Sequence, residues 1–178
     1  MVAFFHVLVM MSILFLSKAY GKTAVREGGW KIFRETSFEY KFYRDVPAWR
    51  PFEDAENYCR NKSAHLVSIH SDAENEFVNQ LLEKGKTKVW IGLKQVGNSV
   101  EDMSWTDGSP YDFANWAWGE PKNSHTVNAA YMLASPDPDP LQSEVPRRWY
   151  VGDGDPSWKE VDTFVCKRKA QRHITEKI

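Results

Sequence analysis

Two cysteines constrain this chain more than any other feature, because the sequence contains no others and a long loop separates them. Cys59 and Cys166 lie 107 positions apart. In an oxidising compartment, an even number of cysteines favours a disulfide over two free thiols. Such a bond would tie the early part of the chain to its end. In the chain-entropy treatment, a loop of this length contributes about 4–5 kcal/mol at most.

The N-terminus predicts that the chain enters such a compartment. Residues 2–16 are apolar except for His6 and Ser12, and the small residues Ala19 and Gly21 follow. The run is shorter than the roughly 20 residues that a membrane-spanning helix needs. We therefore predict a signal peptide over residues 1–21, cleaved after Gly21 or after Ala19, with an uncleaved signal anchor as the alternative. The expected location is secreted and extracellular, without a membrane span.

The composition of the remaining chain argues against a nucleic-acid partner. Removing the predicted signal peptide leaves 157 residues (178 − 21) and takes the formal net charge from −1 to −2, because Lys18 is its only charged residue. A single domain of this size can bury one hydrophobic core. A near-neutral charge gives no electrostatic indication of nucleic-acid binding. The C-terminal end carries a basic cluster that we expect to be a frayed, solvated tail: Lys167, Arg168, Lys169, Arg172 and Lys177.

The first part of the predicted domain shows a strand followed by a helix. Aromatic and charged residues alternate over 38–42, a period of two that is typical of a half-buried strand. Phe52, Ala55 and Cys59 then recur at helical spacing after Pro51, which suits the first position of a helix. Cys59 is therefore predicted on the buried face of that helix.

A second helix and a β-rich half follow. Ser71 with Glu74 three residues later is the pattern of a capping box, in which each residue binds a free backbone amide of the other. Long connections at about 107–128 and 134–147 are of a length that is usually functional or disordered. Short strands are predicted between and beside them, at Val89–Leu93, Ser104–Thr106, Tyr131–Leu133, Arg147–Val151 and Thr163–Cys166.

Catalytic motifs are missing from the sequence. It contains neither Gly-x-Ser-x-Gly nor His-Glu-x-x-His. His65 and His70 flank a short apolar run, and without a third ligand we expect them to make local hydrogen bonds. We do not expect an enzyme; the remaining catalytic alternative is a glycoside-acting enzyme with Glu120 and Glu160 as its carboxylate pair.

One modification site is predicted. Asn61-Lys62-Ser63 is an acceptor sequence for N-glycosylation just after the first predicted helix. In a secreted chain we expect Asn61 to be glycosylated, with an unused acceptor sequence as the alternative.

Several short motifs occur together in a characteristic order. They are Ala55-Glu56-Asn57-Tyr58-Cys59, Ala64 to Ile69, Trp90-Ile91-Gly92-Leu93, Asp107-Gly108, Asn115-Trp116, Gly119-Glu120-Pro121 and Phe164-Val165-Cys166-Lys167. From about residue 30 to 169, this order resembles the C-type lectin-like domain family, whose WIGL signature the third motif matches. The resemblance implies an α+β fold with two helices, short antiparallel sheets and long ligand-binding loops. It places the domain at 22–169, before a basic tail at 170–178, and implies a disulfide from the first helix to the last strand.

The same resemblance implies a disrupted calcium site. Sugar-binding members hold calcium with a Glu-Pro-Asn or Gln-Pro-Asp loop, a nearby Glu, and an Asn-Asp pair after a tryptophan. This chain has Glu120-Pro121-Lys122, then Asn128 near the position of that Glu, then Lys159-Glu160 after Trp158. Lys122 and Lys159 place ammonium groups, which only donate hydrogen bonds, where the family has amide oxygens. We therefore expect no resident metal or other cofactor.

Two functional interpretations remain open. The first is a secreted module that recognises a glycan or an extracellular protein with weak or no calcium dependence. The second is a calcium-dependent lectin, if a shift of one residue brings Asn123 to the position of Lys122. The candidate ligand-binding residues are Glu120, Asn123, Asn128 and Glu160, together with Trp118 as a stacking surface for a sugar ring. Trp116 is expected in the core.

Overall fold

The computed structural model describes residues 24–25, 29–44, 51–82, 88–99, 102–122, 128–134, 147–153 and 161–171. The predicted signal peptide lies outside these residues, and so does the tail from residue 172. The predicted domain limits at 22, 169 and 178 therefore remain predictions. Within the described ranges, neither helix combines the length and the apolar character that crossing a membrane requires.

The described residues form two helices and nine strands. Helix α1 spans Phe52–Arg60 and helix α2 spans Asp72–Leu81. The strands are β1 (Ala24–Val25), β2 (Lys31–Phe33), β3 (Phe38–Tyr43), β4 (His65–Leu66), β5 (Lys88–Gln95), β6 (Met103–Trp105), β7 (Asn128–Leu133), β8 (Trp149–Asp153) and β9 (Thr163–Lys169).

These strands belong to one hydrogen-bonded sheet. Its order is β1-β2-β3-β9-β5-β7-β8, with β4 paired to β9 and β6 paired to β5. The described pairs are antiparallel except β5 and β9, which run parallel with Trp90 beside Phe164. The predicted α+β class is confirmed, but the sheet is mixed rather than purely antiparallel, because the last strand lies between β3 and β5. Strand β8 ends the sheet and has β7 on one side.

The predicted starts of the two helices are confirmed only in part. Ser71 caps α2, since its hydroxyl accepts a hydrogen bond from the Glu74 amide at 3.1 Å. The return bond of the predicted capping box is different: the Glu74 carboxylate accepts from the amide of His70 at 2.8 Å, one residue earlier. Pro51 is the N-cap of α1 rather than its first residue, because its ψ of 154° keeps the backbone extended until Phe52.

The predicted disulfide is present and lies in the core. Cys59 of α1 and Cys166 of β9 are bonded, with their Cα atoms 5.5 Å apart, and neither is exposed to solvent. The WIGL segment is buried beside them in β5. Its glycine is required by packing, since a Cβ on Gly92 would lie 2.6 Å from the carbonyl oxygen of Leu66. Helix α1 is thus held to the centre of the sheet by both a covalent bond and close packing.

Lys167 is buried, so the expectation that it belongs to a solvated basic cluster is wrong. It lies in β9 opposite Tyr40, and its ammonium group is buried 2.7 Å from the Glu74 carboxylate and 2.9 Å from the carbonyl oxygen of Ser68. The Tyr40 hydroxyl donates to the same carboxylate at 2.6 Å. Burial and the neighbouring Glu74 charge raise the pKa of Tyr40 well above its usual range. The strand alternation turns this lysine inward, which a count of basic residues cannot reveal.

Breaking the disulfide should destabilise the domain strongly. We expect Cys59→Ala or Cys166→Ala to lower the free energy of unfolding by about 2–5 kcal/mol, because the 107-residue loop is released in the unfolded chain. Denaturant titration measures the loss, and the double variant should cost about as much as either single one. Thiol labelling of both cysteines in the folded, non-reduced wild type would contradict the bond.

Removing the buried ammonium group of Lys167 should destabilise the domain about as strongly as breaking the disulfide. We expect Lys167→Met to lower the free energy of unfolding by about 3–5 kcal/mol, because it leaves the Glu74 carboxylate buried and unpaired. Adding Glu74→Gln should recover part of this loss. Lys169→Met, on the exposed end of the same strand, is the matched control and should change stability by less than about 0.5 kcal/mol. Equal effects at positions 167 and 169 would contradict a structural role for the ion pair.

Candidate functional site

The segment from Asn115 to Lys122, here called the edge segment, runs along the outer side of β8. The amide of Trp149 donates to the carbonyl oxygen of Asn115 at 2.9 Å, and the amide of Ala117 donates to that of Trp149 at 3.0 Å. Trp116 and Trp149 form a parallel bridge. The edge segment therefore extends the sheet beyond its last strand, which gives a loop the rigidity of a strand.

A tight turn in the edge segment places Trp118 in solvent. The amide of Glu120 donates to the carbonyl oxygen of Ala117 at 3.1 Å and closes a four-residue turn. Gly119 has a φ of +79°, which this turn requires at its third position and which favours glycine. Trp118 occupies the second position, at the corner, and its relative exposure is 101%. A large apolar ring is thus presented to solvent by a well-bonded backbone.

Trp116 has a different environment two positions earlier. Its ring packs edge-on against the buried Trp149, with 5.9 Å between ring centroids. Its indole nitrogen donates to the Tyr111 hydroxyl at 2.7 Å. Trp116 is therefore partly buried against the core, where the sequence predicted a core residue, and the two tryptophans have separate roles.

The Glu120 carboxylate is bound from three directions. One oxygen, Oε2, accepts from the backbone amides of Val151 at 3.2 Å and Lys122 at 3.1 Å. The other, Oε1, lies 3.3 Å from the Lys122 ammonium group. The Glu120 side chain is only 5% exposed, whereas that of Lys122 is 75% exposed. Glu120 thus accepts a hydrogen bond from the outward-facing amide of Val151 in β8. The Lys122 ammonium group lies between the Glu120 carboxylate and solvent.

This arrangement does not fit a calcium ion at Glu120. Calcium takes six to eight oxygen ligands, and here the Lys122 ammonium group already lies against one of the carboxylate oxygens. In the part of the chain that the structure describes, no cluster of three or more His, Cys, Asp or Glu residues could hold a metal. Asn123 and Glu160 fall outside the described residues, as does the side chain of Asn128 in β7. The register-shifted site and the Glu120–Glu160 carboxylate pair therefore remain predictions.

Side-chain hydrogen bonds attach the start of the long loop to the body of the domain. Asp107 accepts from the Ser68 hydroxyl at 2.5 Å and from the Ser109 amide at 2.9 Å. Burial alone would raise the pKa of Asp107, but the hydrogen bonds from Ser109 and Ser68 outweigh it and lower that pKa below its usual range. The loop that leads to the edge segment is therefore fixed at its first residue.

Each of the two histidines contacts one carboxylate, but only the partner of His65 is near in sequence, since that of His70 lies 42 positions away. His70 Nδ1 lies 2.6 Å from the Asp112 carboxylate, and His65 Nδ1 lies 2.6 Å from that of Glu56. The hydrogen bond from His70 lowers the pKa of Asp112. Each ring has one carboxylate beside it, which is a structural contact, and the His70 pair gives the long loop a second attachment.

Arg148 is a residue of this site that sequence reasoning missed. Its guanidinium donates to the Asn115 side-chain oxygen at 2.5 Å, and the Asn115 amide group donates to the carbonyl oxygen of Arg147 at 2.8 Å. Arg148 precedes β8 and carries no motif. Its position beside the edge segment follows from the pairing of that segment with β8, which no local pattern in the sequence indicates.

Asn61 lies where a glycan can be accepted. It is the exposed C-terminal cap of α1, with Lys62 and Ser63 in the following turn. Its exposure leaves room for an attached sugar, so the acceptor sequence is sterically compatible with modification.

Comparisons with known proteins agree with the fold. Residues 49–168 match the family model described as the lectin C-type domain. The chain is 36% identical over 94 residues to one chain of a snaclec coagulation factor IX/factor X-binding protein of Trimeresurus stejnegeri, and 39% identical over 88 residues to the C-type lectin lectoxin-Lio1 of Erythrolamprus poecilogyrus. The mouse scavenger receptor C-type lectin carbohydrate-recognition domain has a similar structure, with a TM-score of 0.61 and 27% identity.

These matches differ in how much of each protein they cover. The two snake proteins match over 49% and 47% of this chain, and the matched parts are 62% and 52% of their own lengths. The chain thus spans between half and two thirds of those relatives. The structural match covers 83% of this chain and 99% of the mouse domain.

Two tryptophans on either side of this sheet edge should differ sharply in their effect on stability. We expect Trp118→Ala to change the free energy of unfolding by less than about 0.5 kcal/mol, because the ring contacts solvent. Trp149→Ala should cost about 3–5 kcal/mol, because it removes a buried ring whose nitrogen donates to Asn75. Denaturant titration of both variants measures this contrast. A loss above about 1 kcal/mol for Trp118→Ala would mean that this ring packs against the domain.

Proposed function

The chain belongs to the C-type lectin domain family, and from that membership we propose a secreted recognition module that binds its ligand with the edge segment. The family assignment and the fold predicted from the sequence motifs are confirmed. The proposed ligand is a glycan or the surface of an extracellular protein, and the proposed dependence on calcium is weak or absent. The observation that carries this proposal is the full exposure of Trp118 on a rigid turn.

An exposed indole on a fixed backbone is suited to binding. Leaving a tryptophan in solvent forgoes roughly 2–3 kcal/mol that burial of its apolar surface would contribute to folding. A ligand that covers the ring recovers this energy, and tryptophan is enriched among the residues that dominate binding energies. Because the turn is held by the Glu120–Ala117 hydrogen bond and by β8, little conformational entropy is lost when a ligand docks.

The environment of Glu120 supports recognition without calcium. Its carboxylate is engaged by two backbone amides and by the Lys122 ammonium group. A calcium ion would have to displace that ammonium group and would meet a like charge beside the carboxylate. Lys122 therefore balances the charge of Glu120 from within the chain. The calcium-dependent alternative, through Glu120, Asn123, Asn128 and Glu160, is an outcome that the test below distinguishes.

The proposed ligand classes are supported by the names of similar proteins, and the proposed absence of catalysis is supported by the surroundings of Glu120. One relative is named for binding coagulation factors and another is named as a lectin, so both protein and sugar ligands are represented among the relatives' names. We propose binding without catalysis, because Glu120 has its oxygens occupied by hydrogen-bond donors and is poorly placed to exchange protons with a substrate.

Secretion and glycosylation belong to the same proposal. The apolar N-terminal run and the buried disulfide both suit an oxidising, extracellular environment. Asn61, exposed at the end of α1, is the proposed site of an N-linked glycan. It lies in a different part of the fold from β8 and the edge segment.

Calcium should leave the stability and the binding of this protein nearly unchanged. Saturating a calcium site at a hundredfold its dissociation constant would add about 2.7 kcal/mol, which thermal melting detects readily. We expect melting curves in millimolar calcium and in chelator to coincide. Glycan and extracellular-protein arrays should give the same hits in both buffers, and Trp118→Ala should lose those hits while remaining folded.

A restoring variant makes this test sharper. Lys122→Asp with Lys159→Asn returns two oxygen ligands, removes two positive charges and creates no new Asn-x-Ser acceptor sequence, so it should create calcium-dependent stabilisation. Lys62→Asn, which removes an exposed charge at the end of α1, is the control and should not. If calcium instead stabilises the wild type by several degrees, and chelator releases it from a mannose or galactose resin, the register-shifted site is real and the calcium-independent proposal is wrong.

A further inference from the structure

Cationic side chains are bonded near both ends of the edge segment that carries Trp118. Arg148 is bonded to Asn115 at the start of the edge segment, and Lys122 is bonded to Glu120 at its end. Asn115 lies beside Trp149 and Glu120 lies beside Val151, so both contacts follow the line of β8. Positions 148 and 151 are separated by about 10 Å along a strand. The turn that carries Trp118 lies between them.

The positive charge of this strip is not fully neutralised by the described residues. Arg148 donates to an amide oxygen, which satisfies a hydrogen bond but leaves the charge of the guanidinium uncompensated. Lys122 faces a carboxylate, but that carboxylate is covered, whereas the ammonium group is 75% exposed. A ligand that approaches the edge segment from solvent therefore meets the exposed Trp118 ring and the cationic groups bonded near the two ends of the segment.

We propose that the ligand of the edge segment is an acidic oligosaccharide, which names the ligand class within the proposed function and rests on it. A pyranose ring stacks on Trp118, and sulfate or carboxylate groups on the neighbouring sugars bind Lys122 and Arg148. Guanidinium and ammonium groups are the side chains that sulfate and carboxylate oxygens prefer.

The surface around Trp118 favours a sugar over a protein. The centre of a protein interface is apolar and depleted in charge, with several large side chains packed together. Among the described residues, the exposed large apolar side chains are Val96, Tyr111 and Trp118, and the hydroxyl of Tyr111 is bonded to Trp116. A single exposed ring on a segment that also binds two cationic side chains suits a sugar with anionic groups instead.

The positive charge of Lys122 and Arg148 contrasts with the net charge of the whole protein. The chain has a formal net charge of −1, so attraction of a polyanion by overall charge is not expected. Binding of an acidic sugar must therefore depend on the placement of Lys122 and Arg148, and substitution of these two residues tests that placement.

The experiment compares three hexasaccharides on the full secreted protein in chelator. They are a heparin-derived hexasaccharide, a hyaluronan hexasaccharide that carries only carboxylates, and the neutral chitohexaose. We expect both acidic sugars to bind more tightly than the neutral one, and their binding to weaken as salt is raised, because exposed ion pairs are screened. Lys122→Gln and Arg148→Gln should each weaken acidic binding about two- to fivefold, the range for exposed ion pairs. Trp118→Ala should weaken binding of all three sugars.

Lys62→Gln removes one exposed positive charge away from β8 and is the matched control, since it also preserves the acceptor sequence at Asn61. The inference is overturned if Lys62→Gln weakens heparin binding as much as Lys122→Gln, or if neither edge variant changes it. Equal affinity for chitohexaose with loss in Trp118→Ala would overturn the acidic class while supporting the proposed function. If none of the three sugars binds, the acidic-oligosaccharide inference is wrong, and a protein ligand found on the array would leave the proposed function standing.

Discussion

The buried contact between Lys167 and Glu74 is the interaction on which the remainder of the structure depends. Its two charged groups, 2.7 Å apart, come from β9 and α2, and Tyr40 of β3 donates to the same carboxylate. The ammonium group also lies 3.2 Å from the hydroxyl of Ser68, which in turn donates to Asp107. A charge pair in a dry core is tolerated only when its hydrogen bonds are complete, so these segments must all be in place together. The start of the long loop at Asp107 is therefore fixed by the same network of hydrogen bonds.

At the far end of the sheet, the edge segment has a structural role of its own. A free sheet edge exposes backbone donors and acceptors that need partners. The edge segment supplies them with the backbone of Asn115 and Ala117, and Glu120 supplies one with its side chain. Glu120 therefore has a structural role that does not require calcium. Lys122 lies against this carboxylate, and the turn that precedes it leaves Trp118 exposed.

Local patterns in the sequence predicted those parts of the fold that depend on residues close to one another in the sequence. The spacing of Phe52, Ala55 and Cys59 placed the first helix with its cysteine inward, and Ser71 marked the start of the second. Pro51 was assigned one residue too far into its helix, because a proline fixes φ but not ψ. Lys167 was assigned to a solvated tail, because its burial depends on the strand β3 beside it, more than a hundred positions away in sequence.

The sequence by itself determined the family, the cysteine pair, the buried WIGL strand and the ammonium group that follows Glu120-Pro121, since each is a matter of residue identity and order. The family resemblance placed Trp116 in the core and Trp118 at the surface, but only the tertiary structure showed that the turn at Gly119 and the bridge to Trp149 separate them. It also brought Arg148 to Asn115 through the pairing of β8 with the edge segment. Hydrophobic spacing predicts which face of an element is buried, but which side chains meet across a sheet edge depends on how distant strands align.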